Sequence, residues 1–268
     1  MQKLHLMKLI FFLTSAVIGD VSAQQNNLSY AVAWKQTAAE HRALYYQGFN
    51  IARLRLEMAL AREEEGKPLA IISDIDETLL LANDYWGYLI SNEEDFFNDA
   101  SWDQWVAENR FVPSPGSQEF LRFCEANNVE IFYVTNRDQG EATFDLAYSN
   151  LIANGFPVAD REHLTVLRET SNKEEVQRSI MEDYNVVVML GDNLNDFSRA
   201  YYLTNTEQRE NLVNQKSSDF GSKFVIFPNP TDGHWIRAIF GESEPPATPE
   251  NRRILRSAAT RGAWQPDL

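Results

Sequence analysis

Two aspartates two positions apart, Asp74 and Asp76, stand at the end of an apolar run in Ser73-Asp74-Ile75-Asp76-Glu77-Thr78. In extended backbone, residues i and i+2 face the same way, so the two carboxylates point together beyond the run. Carboxylates held this close raise one pKa and attract a cation, an arrangement suited to a nucleophile beside a general acid. Asp-rich turns are also common surface features, and the pair alone does not separate the two readings. A second acidic turn, Gly191-Asp192-Asn193-Leu194-Asn195-Asp196-Phe197, also follows an apolar run. Gly191 permits a close backbone approach, and Asp192 and Asp196 offer hard oxygen ligands. An EF-hand loop is excluded, because Leu194 takes its third position and its glycine and closing glutamate are missing. Val134-Thr135-Asn136-Arg137 puts a hydroxyl and backbone N–H groups where a phosphate-sized anion could sit. Lys173, in Ser171-Asn172-Lys173-Glu174-Glu175, opens a predicted helix and would be an ordinary solvated lysine on its own.

These groups need a frame that brings positions about 60 to 120 residues apart to one place. Short β-type runs occupy 69–73, 129–135, 164–167, 185–190 and 223–227, and most are continuously apolar. Continuous apolarity marks strands covered on both faces. Helical stretches are predicted between them at 117–127, 140–154, 172–183 and 206–215. The alternation predicts an α/β fold, a doubly wound, mostly parallel sheet with helices on both faces. Ligands of such sheets bind outside the carboxyl ends of the strands, where the Asp74, Thr135 and Asp192 motifs fall. Ahead of the sheet, 33–65 reads as one long helix or two broken near Gly48-Phe49-Asn50. Residues 83–115 interrupt the alternation with Tyr85, Trp86, Tyr88, Phe96, Phe97, Trp102, Trp105 and Phe111. They are expected to form a small helical cap over the site, most rings filling the cap and at least one facing the site. Cys124, on a face with Phe120, Leu121 and Phe123, is expected in the core.

The motifs and their order, DxDxT, then Thr, Lys and GDxxxD, resemble the haloacid-dehalogenase-like (HAD) phosphatase superfamily. The blocks DIDETLL, IFYVTNRD, VMLGDNLNDF and FPNPTDGHW, with AWKQTAAEHRALYYQ near the start, resemble the class C bacterial acid phosphatases, from about Ala33 to Phe240. Class B acid phosphatases carry a different first motif, and the histidine type is excluded because no RHG occurs. The resemblance implies a Mg²⁺-dependent phosphomonoesterase with nucleoside 5′-monophosphates among its substrates. It implies Asp74 as nucleophile forming an aspartyl-phosphate, and Asp76 as acid and then base, with its backbone carbonyl on the metal. Thr135 and Asn136 would hold the phosphoryl oxygens and Lys173 would offset charge. Asp192 would bind the metal with Asp74 and Asp76, and Asp196 would act beside them or through water. Tyr85 and Trp86, the cap rings nearest the first motif, are expected at the substrate. The sequence departs from the family at Leu81 and Ala82, where Asp-Asn is usual, and at Asp232, where a tyrosine is usual. These departures border the leaving-group pocket. A phosphotransferase using the same intermediate, or a storage relative lacking catalysis, are the competing readings. Intact Asp74, Asp76, Lys173 and Asp192 argue against the second.

The 268 residues carry 44% hydrophobic and 24% charged side chains, an ordinary globular composition. With 24 Lys+Arg against 39 Asp+Glu the net charge is −15, which disfavours nucleic-acid polymers and anionic membranes as partners. A small phosphomonoester is the expected partner, and a homodimer is compatible with the reading. One cysteine cannot form an intrachain disulfide. Lys3 and Lys8, the apolar stretch Leu9–Ile18 and Val21-Ser22-Ala23 have the form of a signal peptide cut before Gln24. The apolar stretch is too short to span a bilayer, and no lipid-anchoring cysteine follows it. The expectation is one HAD-like domain over 24–268, secreted or periplasmic, without stable membrane insertion.

Overall fold

The computed structural model describes residues 28–62 and 66–264, so the expected signal peptide, 1–23, lies outside the described residues. Five parallel strands form the central sheet: β1 (Leu69–Ser73), β4 (Glu130–Asn136), β5 (Leu164–Leu167), β6 (Asn185–Gly191) and β7 (Phe224–Ile226), in the order β5-β4-β1-β6-β7. β1 is central, and the chain leaves it toward β4 on one side and β6 on the other. The carboxyl ends of these three strands are therefore neighbours, in the crevice such a topology opens. A two-stranded antiparallel ribbon, β2 (Leu80–Leu81) with β3 (Val112–Pro113), flanks the segment after β1.

Strand residues alternate between two cores. Ile71, Ile131, Tyr133, Val188 and Leu190 face a large cluster under α2 (Ala39–Leu60) and α5 (Ser117–Ala126). Ala70, Ile72, Phe132, Val134 and Met189 face a smaller one, against which Val176, Ile180 and Met181 of α7 (Glu174–Asp183) pack. The apolar runs are strands for this reason: each of their faces has a helix to cover it. Cys124 is fully buried in the large cluster, as its helical face predicts, and burial pushes its thiol up to about 12. α6 (Thr143–Ala153) and α8 (Thr206–Gln215) complete the helices predicted between strands.

The long N-terminal helix breaks elsewhere than expected. α1 (Ser29–Thr37) ends at Ala38, whose ψ of 126° is extended, and α2 runs unbroken through Gly48. Gly48 serves packing instead: a Cβ there would lie 2.5 Å from the Phe227 ring, which stacks on Tyr45 and tilts against Phe49.

Between the ribbon strands run α3 (Asn83–Ser91) and α4 (Asp99–Ala107), the latter capped by Asn98, which accepts from Ser101 N–H. Their rings form an aromatic cluster continuous with the large core, in which Tyr85, Phe97, Trp102, Trp105 and Phe111 touch edge to face or offset, as ring quadrupoles prefer. The C-terminal segment folds back on this unit. Phe240, closing α9 (His234–Phe240), meets Phe96 edge-on, and Arg252 of α10 (Pro249–Ala259) pairs with the buried Asp95. Among the described residues no helix is long and apolar enough to cross a membrane.

Candidate active site

Asp74 follows the last residue of β1, and its N–H donates to the carbonyl of Leu190 on β6. The chain then turns tightly. The N–H groups of Leu79 and Leu80 return to the Ile75 carbonyl, and Glu77 takes a left-handed φ of 55°. A non-glycine residue in that region is a strain held by its surroundings. Here the holding groups are visible: Lys35 Nζ lies 2.6 Å from Glu77 Oε2, Trp86 Nε1 donates to Oε1 at 2.8 Å, and the Tyr45 hydroxyl donates to the Glu77 carbonyl. Lys35 Nζ also donates to Thr231 Oγ1 at 2.9 Å. One buried ion pair thus joins α1, the turn after β1, α3 and the loop before α9.

The acidic groups converge as their strands do. Lys173 Nζ sits between Asp74 Oδ1 at 2.6 Å and Asp196 Oδ1 at 2.7 Å, with all three side chains nearly buried. Asp196 is fixed further, its Oδ2 accepting from Asn193 N–H at 2.9 Å, so the acidic turn closes on itself. Gly191 is required there, since a Cβ would fall 2.5 Å from that of Asp196. Asp192 Oδ2 accepts from Asn229 Nδ2 at 2.7 Å. The Thr78 hydroxyl lies 3.3 Å from both Asp74 Oδ2 and Asp192 Oδ1, so both carboxylates converge on it.

Burial pushes the Asp74 carboxyl up to about 7 against the pull of Lys173, and Asp196 and Asp76 add to the rise. Burial likewise pushes Asp192 well up, with Asp196 and Asp74 adding repulsion. Burial disfavours the Lys173 ammonium, but Asp196 and Asp74 outweigh it and its pKa ends above the usual lysine value. One ammonium among three carboxylates leaves the group short of positive charge. Oxygens of Asp74, Asp192 and Asp196 all lie within 4.8 Å of one another, a set of hard donors that could hold a divalent cation.

Asp76 does not share that cluster. Its carboxylate is gripped by Arg137, with Nη2 at 2.6 Å from Oδ1 and Nε at 2.7 Å from Oδ2, and its side chain is 21% exposed. A metal role for Asp76 is therefore confined to its backbone. Thr135 is buried on β4 with its hydroxyl 3.5 Å from Asp76 Oδ2, the outer limit of a hydrogen bond. Asn136 turns its amide away, donating to the Thr170 carbonyl at 2.6 Å.

A cavity of about 360 Å³ opens beside Asp76, walled by Trp86, Phe97 and Trp102, with Arg137, Asn136 and Asp232 on its floor and flanks. Trp86 borders the cavity. Tyr85 does not: it is fully buried, and its hydroxyl is taken by the backbone of Asn98, because the small core between α3 and α4 needs its whole ring. Tyr88 opens on a different cleft, with Asp84, Ser101 and Arg110. Phe97 supplies the half-buried ring on the cavity that the expectation placed on Tyr85.

Sequence reading passed over Arg137, Lys35, Glu77, Thr78 and Asn229 as working residues. Each lies inside a block that carries the family resemblance, but apart from the Thr78–Asp74 contact their partners lie across long sequence gaps, 61 residues for Arg137–Asp76 and 42 for Lys35–Glu77. Local spacing has no signal for such pairs.

The family described as HAD superfamily, subfamily IIIB (Acid phosphatase), matches residues 9–235. The chain belongs to that family of phosphoric monoester hydrolases. Among solved structures it is similar to the class C acid phosphatase from Bacillus anthracis with tungstate bound, at 31% identity and a TM-score of 0.81, over 90% of this chain and 98% of that one. A second structure of the Bacillus anthracis enzyme matches at 31% identity and a TM-score of 0.81, over 91% of this chain and 99% of that one.

Proposed function

We propose that this chain is an exported, Mg²⁺-dependent acid phosphatase that cleaves small phosphomonoesters through an aspartyl-phosphate on Asp74. The observation that carries the reading is the placement of Asp74, one oxygen held by Lys173 and the other turned toward Asp192. Tungstate, a tetrahedral oxyanion like phosphate, is bound in the Bacillus anthracis relative, and it supports a phosphoryl site here.

The Asp74 carboxylate attacks phosphorus in line as the ester P–O bond breaks, and Asp76 supplies the proton that the departing alkoxide takes up. Asp76 then accepts a proton from water as that water attacks the aspartyl-phosphate, releasing phosphate and restoring Asp74. To reach the leaving oxygen, Asp76 gives up one of its bonds to Arg137, which keeps the other and so steers the carboxyl. Thr135 orients the phosphoryl oxygens, and Lys173 neutralises charge on nucleophile and phosphate together. Asp74, Asp192 and the Asp76 carbonyl would hold Mg²⁺, with Asp196 acting beside them. Bound there, the ion supplies the positive charge that lets a carboxylate approach a phosphate dianion on so acidic a chain.

Residues 1–23 would direct export, which N-terminal sequencing of the secreted or periplasmic protein tests by its start at Gln24. Nucleoside 5′-monophosphates fit the cavity if a base lies against Phe97 or the edge of Trp86. A phosphate-release screen over nucleotides, sugar phosphates, aryl phosphates and amino-alcohol phosphates, with Mg²⁺ and with EDTA, tests the whole reading. Release that persists unchanged in EDTA removes the metal, and no release from any ester removes the phosphatase.

A further inference from the structure

The charge on the leaving-group cavity is unequally shared. Its two basic residues are both committed, Arg137 to Asp76 and Arg168 to Asp138, with Arg168 Nε 2.8 Å from the Asp138 carboxylate. Of the cavity's acids, Glu77 is likewise committed, to Lys35. Asp232, Asp99, Glu169 and Glu244 are not: among the described residues no basic side chain lies within ion-pair distance of any of them, and Asp232 is the one whose backbone is tied beside the catalytic turn. Its backbone is pinned instead, its N–H donating to Asn229 Oδ1 at 3.2 Å and its carbonyl accepting from Trp235 Nε1 at 2.8 Å. A half-buried carboxylate with a fixed backbone thus lines the same cavity as the aromatic group Trp86, Phe97 and Trp102.

Aromatic faces and a carboxylate around one space are the two elements that recognise an organic cation, the rings through their quadrupoles and the carboxylate through its charge. The same cavity repels a leaving group with a second anionic charge. Resting on the phosphatase reading, we propose that Asp232 is a specificity-determining residue, and that the preferred esters are phosphates of alcohols carrying an alkylammonium group, quaternary above primary. Burial pushes the Asp232 carboxyl up to about 6, with Glu77 and Asp76 adding to the rise against the pull of the Gly233 N–H and of Lys35.

The test compares choline phosphate and ethanolamine phosphate with 3,3-dimethylbutyl phosphate, the uncharged isostere of the first, at pH 7 with Mg²⁺. In the wild-type protein kcat/KM should favour choline phosphate over the isostere by about tenfold, the value of one interaction of roughly 1.4 kcal/mol. Asp232→Asn should collapse that ratio toward one, mainly through KM, and Asp232→Glu should keep most of it. Thermal melting of each variant confirms that folded proteins are compared. A wild-type ratio near one, or an undiminished ratio in Asp232→Asn, overturns the proposal while leaving the phosphatase in place. Hydrolysis of 4-nitrophenyl phosphate reports on the phosphatase itself, and its absence in the wild-type protein removes both readings.

Discussion

The two ends of the cleft are built on opposite plans. At the phosphoryl end, side chains rise from the ends of adjacent parallel strands, and every cation is answered, Lys173 by Asp74 and Asp196, Arg137 by Asp76 and Lys35 by Glu77, while the acidic cluster with Asp192 keeps an excess of negative charge. At the leaving-group end, α3, α4 and the loops before α9 and α10 face the segments after β4 and β5, and among the described residues no basic side chain lies within ion-pair distance of Asp232. The first end is tied to the sheet and so fixed in position. The second is formed by the cap and the returning C-terminal segment, and it is joined to the first through the Lys35–Glu77 pair and the Trp86–Glu77 hydrogen bond. Chemistry resides where the backbone is least free, and selectivity where it is most free.

Breaking the phosphoryl end should give the largest effect. Asp74→Asn is nearly isosteric but cannot form the aspartyl-phosphate, so turnover should fall at least about a thousandfold while the fold survives. Steady-state phosphate release with circular dichroism checks both parts, and activity above a few per cent of wild type removes Asp74 as nucleophile. The tie between the two ends is tested next. Lys35→Met leaves Glu77 charged, buried and unanswered, which should lower unfolding free energy by about 3–5 kcal/mol. The double variant Lys35→Met/Glu77→Gln should recover part of that loss. Denaturant melts that show additive losses instead would mean that the pair does not act as a unit.

Asp192→Ala should leave Asp74 and Lys173 in place and raise the Mg²⁺ concentration for half-maximal activity more than about tenfold. An unchanged metal requirement would make the turn after β6 purely structural. Much of this end was legible in the sequence. Strands buried on both faces leave continuous apolar runs, and residues directly after such runs are delivered to one edge of the sheet by topology alone. Asp74, Thr135 and Asp192 were therefore found from sequence. Lys173 was found only through the family resemblance, since a lysine at a helix start carries no signal of its own. Arg137, Lys35 and Asn229 were not found, because their partners lie on other elements. Tyr85 shows the limit from the other side: eight aromatics in 83–115 told of a cap core and of a ring on the cavity, but not which ring, since that depends on the angle between α3 and α4.

At the other end, pH sharpens the contrast. The Asp232 carboxyl sits at about 6 in the folded protein, above its usual 3.8. A raised acid binds its proton more tightly when folded, so its stabilisation is full below about pH 4 and is lost as pH rises through about 6. Asp232→Asn carries no such loss. The two proteins should melt alike near pH 4, and the variant should melt roughly 2–5 °C higher above pH 7. A difference that does not grow between those pH values would mean that Asp232 is solvated like a surface acid.

The smallest effect should come from Phe97. Its ring lines the cavity, yet it also packs on Tyr85 and Trp102, so truncation removes a wall and loosens a core together. Part of any loss with Phe97→Ala is thus general, and the informative quantity is the difference between substrates. Aryl and nucleoside phosphates, which place a flat group against the ring, should show KM raised about three- to tenfold, the range expected of a single stacking contact. Small sugar phosphates, which offer no flat face, should change by less than about twofold. Phe97→Leu keeps the bulk in the core and removes only the aromatic face, so it should reproduce the difference between substrates with little loss of stability. Equal losses on both substrate types in the leucine variant would reduce this wall to a lid, and the nucleotide part of the proposed function would go with it.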